Sequence, residues 1–128
     1  MDIKGHGIDI VETARIRRMM GEHPERFLRR VFTADERAYS ESRPKRRDEH
    51  LAGRFASKEA VLKVLGTGWS GGIAWTDVEV VREASGQPTV RLHGVAAQKA
   101  EQLGITGWWL SISHTDTHAV ASAIGASG

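Results

Sequence analysis

The stretch LAGRFASKEAVLKVLGTG, residues 51–68, decides the fold. At 100° per residue, Leu51, Phe55 and Leu62 fall within one narrow sector of a helix. Alanine and valine side chains line the other flank, so the helix is apolar on more than one side and is expected at the centre of the domain. We predict a long helix from about Asp48 to Leu65, with the glycine that follows as its C-cap.

Glu59 is a carboxylate inside the apolar sector of this helix. Burying an ionised carboxylate is costly unless it is paired or bound to a metal, so an ion pair with a nearby Arg or Lys is one explanation. Asp9 favours the second explanation, a bound metal. It interrupts an apolar strand on a face that Gly5 and Gly7 keep free of bulky side chains.

Two such carboxylates could bind a hard cation. Magnesium prefers a few carboxylates, several waters and substrate phosphates to an all-protein cage. Asp9 and Glu59 are therefore candidate Mg²⁺ ligands, and Lys58 and Lys63 would then face the phosphates.

The remaining segments predict an α+β architecture. Helices are expected over Thr13–Met20, after Pro24, and after the capping box formed by Thr33 and Glu36. Strands are predicted in IKGHGIDIVE, DVEVVRE, TVRLHG, WWLSISHT and THAVASAIG, and a short helix is predicted in VAAQKAEQLG. We predict one domain, residues 1–128, in which an antiparallel sheet packs on one long central helix with several short helices.

Composition indicates a soluble globular domain, with 40% hydrophobic and 27% charged residues among 128. No apolar run approaches the roughly 20 residues of a membrane span. The first residues lack the layout of a signal peptide, and the chain has no cysteine. We therefore expect a cytoplasmic protein with no membrane partner.

Basic residues are concentrated near the start of the chain, although the formal net charge is only +2. Such an uneven distribution suggests an anionic partner, which could be a nucleic acid, a phosphate-rich small molecule or an acidic protein. A solvated face is the alternative. On the first helix, Arg15 and Met19 share a face that would suit protein binding, unless Met19 and Met20 belong to the core.

Three segments together resemble the holo-[acyl-carrier-protein] synthases of the 4′-phosphopantetheinyl transferase family. They are GIDIVE (residues 7–12), the stretch at 51–68, and SISHT (residues 111–115). Within them RFASKEA is the most specific, and SISHT means little alone. The resemblance extends over nearly the whole chain and implies the 4′-phosphopantetheinyl transferase-like fold.

The resemblance also implies a reaction, the Mg²⁺-dependent transfer of 4′-phosphopantetheine from coenzyme A to a serine of apo acyl carrier protein. Adenosine 3′,5′-bisphosphate is the other product. By the same resemblance, Asp9 and Glu59 bind the Mg²⁺, and Lys63 compensates charge on the departing phosphate.

Further residues acquire roles in the same way. Arg54 and Lys58 would hold the pyrophosphate of coenzyme A, Lys45 and Arg46 its 3′-phosphate, and His114 and Thr115 would lie beside the nucleotide. The family docks acyl carrier protein on its first helix, where Arg15, Met19 and Arg26 occupy the matching places. Members of this length form homotrimers whose active sites are each shared between two subunits.

Two departures from the family pattern stand out: Trp109 replaces a histidine that many relatives carry, and the EHPE segment (residues 22–25) is less basic than in some. Two other functions stay open. A nucleic-acid-binding module would explain the arginines but not Asp9 and Glu59, which would repel phosphate unless a cation intervened, so we expect no nucleic-acid partner. An inactive relative could bind coenzyme A or carrier protein without transfer, although Asp9, Glu59 and Lys63 are all present.

Overall fold

A computed structural model describes all residues, 1–128, and has the mixed α+β architecture that the sequence predicts. Two 3₁₀ turns, Pro44–Arg46 and Trp75–Asp77, accompany the regular elements. In chain order these elements are β1 (Asp2–Glu12), α1 (Thr13–Met20), α2 (Pro24–Val31), α3 (Ala34–Glu41), α4 (Arg47–Leu65), β2 (Val78–Arg82), β3 (Pro88–Leu92), α5 (Gly94–Gln102), β4 (Gly107–His114) and β5 (His118–Ser127).

The long helix α4 is the centre of the domain, as predicted. It ends at Leu65, and Gly66 follows in the left-handed conformation with φ of 77°, which glycine adopts without steric cost. Leu51, Phe55 and Ala60 have no exposed surface. The helix is enclosed on several sides because β1, β4 and β5 lie along one side while α1, α3 and β2 contact others.

Three antiparallel strands form the main sheet in the order β1-β5-β4, and β2 and β3 form a separate hairpin. The central strand β5 turns Ala119, Ala121 and Ala123 into the core. These small side chains leave room for α4 to lie against the sheet. Strands β1 and β4 are therefore the two edges, and each edge lies beside a different flank of α4.

Strand β1 crosses α4 at backbone distance. A Cβ on Gly7 would collide with the carbonyl oxygen of Ala60, and one on Gly5 would lie 3.1 Å from Cγ1 of Val64. The sequence-based inference that these glycines clear a face for close approach is thus borne out, and what approaches is the helix backbone.

The other face of the main sheet has no helix on it. Ile8 and Ile10 of β1 are 57% and 65% exposed, and Trp109 of β4 is 53% exposed. The register places these side chains on one face together with Val120 and Ile124 of β5. None of the helices is long and apolar enough to cross a membrane.

Candidate active site

The crossing of β1 and α4 brings Asp9 and Lys63 together. Lys63 Nζ lies 3.3 Å from Asp9 Oδ1 and donates to the carbonyl oxygen of Ile8 at 2.7 Å. Glu59 precedes Lys63 by four residues, so their side chains are neighbours on one face of the helix. The structure thus groups Asp9, Glu59 and Lys63 beside the β1 edge.

Glu59 is half-buried and forms no ion pair, so the alternative that an Arg or Lys neutralises it does not hold. Its carboxylate accepts one hydrogen bond, from the indole Nε1 of Trp69 at 3.4 Å. Trp69 belongs to the glycine-rich loop GTGWSGG, residues 66–72, which follows α4. The remaining lone pairs of the carboxylate are available to a ligand.

The donor set of this cluster fits a hard cation whose coordination is completed from outside the protein. Asp9 and Glu59 offer only oxygen donors, and no group of three potential metal-ligating side chains occurs in the chain. Magnesium is bound in this manner when waters and substrate phosphates fill the other positions. The Lys63 ammonium, half exposed beside Asp9, adds positive charge where a phosphate would lie.

Lys58 lies elsewhere, contrary to the expectation that it faces the phosphates. Its ammonium is wholly buried, forms an ion pair with Glu36 at 2.8 Å, and also donates to the carbonyl oxygens of Trp75 and Val78. Burial lowers the pKa of Lys58, and the Glu36 carboxylate opposes that effect. All three N–H donors are used within the protein, so Lys58 is a structural residue.

Arg54 is likewise turned away from the carboxylates. It precedes Glu59 by five residues, which places the two side chains about 140° apart around the helix. Arg54 is 3% exposed and its guanidinium carbon lies 4.0 Å from the ring centre of Tyr39. The expected contact with the same pyrophosphate that Asp9 and Glu59 would face is therefore not available within one chain.

Arg54 lines a second cluster, on the β4 side of α4. A cavity of about 220 Å³ lies between α4, the β2–β3 hairpin and β4, and His50, His114, Arg82, Pro88, Ile112, Gly53 and Glu49 complete its lining. The His114 ring is held by Glu49, with Nδ1 and Oε1 3.0 Å apart. The Nε atom of Arg54 and Nε2 of His50 are buried here without a hydrogen-bond partner.

This second cluster carries a net positive charge, since Arg54 and Arg82 line its cavity against one carboxylate, Glu49. Arg43, Arg54 and Arg82 surround the Tyr39 ring at 4.3, 4.0 and 4.9 Å from its centre, and none of the three forms a salt bridge. Burial, followed by the charge of Arg54, lowers the pKa of His50 to about 4. His50 is consequently neutral at pH 7, in a cavity that attracts anions.

Lys45 and Arg46 lie near the start of α4, in the 3₁₀ turn, and both are exposed. They border an open pocket of about 500 Å³, whose wall also includes Arg17 of α1 and Asp116 in the β4–β5 turn. Thr115 belongs to that turn, where its hydroxyl accepts from the backbone N–H of His118 at 3.1 Å. The four basic side chains of this pocket are accompanied by four acidic ones, Glu41, Asp48, Glu49 and Asp116, and Glu49 connects its wall to His114.

The first two helices expose the residues assigned to carrier docking. Arg15, Met19 and Arg26 are all exposed, whereas Met20 is 6% exposed and belongs to the core. Met20 is thus a core residue, whereas Met19 is exposed and its part in docking stays a prediction. The guanidinium carbon of Arg15 lies 5.2 Å from the centre of the buried Phe55 ring, and Phe55 stands one helical turn before Glu59 on α4.

Sequence reasoning missed Trp69, His50, Tyr39 and Arg82. Trp69 had a signal, since a tryptophan in a glycine-rich loop needs something to pack on. The other three acquire their roles from contacts between α3, α4 and the β2–β3 hairpin, which no local pattern reveals.

Comparison with known proteins agrees with this geometry. Residues 5–122 match the model of the 4′-phosphopantetheinyl transferase superfamily. The chain is 48% identical to the holo-[acyl-carrier-protein] synthase of Koribacter versatilis, over 95% of this chain and 97% of that one.

Solved structures give the same result. The holo-[acyl-carrier-protein] synthase of Neisseria meningitidis superposes with a TM-score of 0.84 at 32% identity, covering 96% of this chain and 98% of that one. A holo-(acyl-carrier-protein) synthase of Bacillus anthracis, in complex with CoA (3′,5′-ADP), gives 0.80 at 33% identity, with both chains fully covered. The resemblance first seen in three short segments is thus confirmed, and the chain belongs to the 4′-phosphopantetheinyl transferase superfamily, within its holo-[acyl-carrier-protein] synthase group.

Proposed function

We propose that this protein transfers the 4′-phosphopantetheine group of coenzyme A to a serine of apo acyl carrier protein. The observation that carries the proposal is the grouping of Asp9, Glu59 and Lys63 at the crossing of β1 and α4, in a chain of this family. Two carboxylates and an ammonium beside an open surface suit a substrate with a pyrophosphate. The serine oxygen bonds to the phosphorus that carries pantetheine, the bridging P–O bond of the pyrophosphate breaks, and adenosine 3′,5′-bisphosphate leaves while the serine proton passes to a base.

Each residue of this cluster has a distinct task. Asp9 and Glu59 would hold Mg²⁺, which would neutralise negative charge on the pyrophosphate oxygens and so make the phosphorus more susceptible to attack. Lys63 is kept beside the carboxylates by Asp9 and the Ile8 carbonyl, and donates to an oxygen of the departing phosphate. The tight contact at Gly7 keeps β1 against α4, so the two carboxylates are presented on rigid elements.

The nucleotide end of coenzyme A is bound by the positive cluster at the β4 side. Arg54 and His114 face its cavity, and the unpartnered buried donor of Arg54 supports binding of an anionic group there. Lys45, Arg46 and Thr115 lie on the neighbouring open surface and contact the 3′-phosphate and the nucleotide. Lys58 is left out of this set because its donors are used internally.

The protein is a homotrimer with each active site shared by two subunits. The carboxylates lie beside the β1 edge of the sheet, and the positive cavity lies beside its β4 edge. A head-to-tail ring, in which the β1 edge of one copy meets the β4 edge of the next, would unite them. Such a ring can also cover the apolar open face that contains Ile8, Ile10 and Trp109.

Acyl carrier protein docks on α1 and α2 through Arg15, Met19 and Arg26. Arg15 contacts Phe55, which stands one helical turn before Glu59, and this contact supports a carrier that presents its serine to Asp9 and Glu59. The interaction depends on opposite charge, which mainly raises the association rate and makes binding sensitive to salt.

We place this reaction in the cytoplasm, in agreement with a chain that has no cysteine.

A mass assay tests the proposal. Purified protein with Mg²⁺ and coenzyme A is expected to add about 340 Da to an apo carrier, the increment of phosphopantetheine transfer by phosphoryl chemistry. Asp9→Asn and Glu59→Gln should each abolish the shift while far-UV circular dichroism stays unchanged. Glu101→Gln, which removes an exposed carboxylate on α5, is the matched control and should retain transfer. Transfer at the wild-type rate by Glu59→Gln would refute the metal assignment.

A further inference from the structure

The indole of Trp69 connects Glu59 to the hydrophobic core. Its ring lies 3.6 Å from the ring of Trp75, which is stacked on Phe55 at 4.9 Å. Phe55 is completely buried and stands one helical turn before Glu59 on α4. The glycine-rich loop is therefore anchored by a ladder of three aromatic rings, whose outermost member donates to the Glu59 carboxylate.

We propose that Trp69 is a positioning residue that fixes the Glu59 carboxylate for cation binding, an inference that rests on the proposed function. Glu59 makes no other side-chain hydrogen bond and no ion pair. Without a partner, the terminal torsion of a glutamate is broad and roughly two-fold, so its oxygens sample many directions. The indole N–H holds Oε1 in place, and Oε2 stays available to the cation.

The chemistry of the donor suits this task. An indole N–H donates and cannot accept, so Trp69 cannot compete with Glu59 for a cation. It carries no charge, so it does not repel a divalent ion as a lysine or arginine at the same place would. Groups that orient a metal ligand in this way typically change metal affinity or activity about 10- to 100-fold when they are removed.

The competing explanation is that Trp69 only packs the loop onto the core, because its ring lies on Trp75, which is stacked on Phe55. Trp69→Phe keeps a six-membered aromatic ring for the ladder but removes the N–H together with the fused five-membered ring, so the unfolding free energy must report the packing loss separately. Ser70→Ala is the control for disturbance of the loop, because Ser70 is exposed and bonds only to the Thr67 carbonyl. Urea unfolding of both variants establishes that they fold.

The decisive measurement uses Mn²⁺ as a probe in the presence of coenzyme A, with free Mn²⁺ read by electron paramagnetic resonance. We expect Trp69→Phe to bind Mn²⁺ about ten-fold more weakly than the wild type, and Ser70→Ala to bind it equally. In the transfer assay, Trp69→Phe should need about ten-fold more Mg²⁺ for half-maximal rate, with little change in kcat at saturating Mg²⁺.

The outcomes separate this inference from the proposed function. If Glu59→Gln loses Mn²⁺ binding while Trp69→Phe binds like the wild type, the positioning role is overturned and the proposed function stands. If the wild-type protein binds no Mn²⁺ with coenzyme A present, both the positioning role and the metal assignment are overturned.

Discussion

Lys58 and Glu36 form an ion pair in the interior of the protein, with Nζ 2.8 Å from Oε1 and neither side chain exposed. Glu36 also accepts hydrogen bonds from the backbone N–H groups of Thr33 and Val80, at 2.9 Å each. One carboxylate therefore connects the start of α3, strand β2 and the middle of α4. Lys58 therefore contributes to stability, although its neighbour Glu59 belongs to the proposed site.

Lys58→Met is expected to lower the free energy of unfolding by about 3–5 kcal/mol, because it leaves the Glu36 charge buried without a partner. Urea unfolding measures this loss. Adding Glu36→Gln to Lys58→Met removes the uncompensated charge and should recover part of the stability. A stable Lys58→Met protein that cannot transfer phosphopantetheine would instead return Lys58 to the coenzyme A site.

The sequence predicted the elements well because their boundaries are marked locally. Gly66 ends α4, and the reciprocal bonds of Thr33 and Glu36 begin α3 as a capping box, with Glu36 N–H donating to Thr33 Oγ1 at 3.2 Å. Asp9 and Glu59 also followed from local reasoning, since an isolated charge on an apolar face is conspicuous. Their assignment as magnesium ligands remains a prediction.

The positions of the basic residues could not be predicted in the same way. Consecutive helical residues point about 100° apart, so the adjacency of Lys58 and Glu59 in sequence says little about a shared ligand. Which direction is interior depends on how α3 and the β2–β3 hairpin pack against α4, and those contacts join residues far apart in the chain. Lys58 and Arg54 were therefore assigned by motif and lie elsewhere.

His50 should make the protein less stable in acid. Burial and the charge of Arg54 lower the pKa of His50 to about 4, whereas an unfolded histidine titrates near 6.5. As the pH falls from about 6.5 to 4, the unfolded chain binds a proton that the folded chain does not, so stability is lost across this window. The loss is at most about 1.4 kcal/mol per pH unit for one proton.

The measurement is urea unfolding at pH 7.5 and pH 5 of the wild type and of His50→Phe, which keeps an aromatic ring between Tyr39 and His114. The variant should lose less stability between the two pH values. An identical loss would mean that His50 does not contribute to the acid sensitivity.

Gly7→Ala should separate β1 from α4. The added Cβ would meet the Ala60 carbonyl, which is backbone and cannot rotate away. We expect a loss of about 1–3 kcal/mol in unfolding free energy, the usual cost of overpacking. Because Asp9 moves with β1, the Mg²⁺ concentration for half-maximal transfer should rise as well.

Gly107→Ala in β4 is the control for this experiment, since the nearest atom to its added Cβ would be 3.9 Å away. Equal stability of Gly7→Ala and the wild type would show that the crossing of β1 and α4 is not tight in solution.

Mixing two inactive variants should restore activity if each active site is shared between subunits. Glu59→Gln should inactivate the half of the site at the β1 edge, which holds the carboxylates. Arg54→Gln should inactivate the other half, the positive cavity at the β4 edge. Arg54 has no carboxylate partner, so its removal leaves no unpaired buried acid.

Unfolding and refolding the two variants together at equal amounts forms mixed assemblies, in which about a quarter of the shared sites combine two intact halves. Transfer by the mixture should therefore approach that fraction of the wild-type rate, whereas each variant refolded alone stays inactive. If the mixture is as inactive as its components while size-exclusion chromatography shows trimers, each site lies within one subunit.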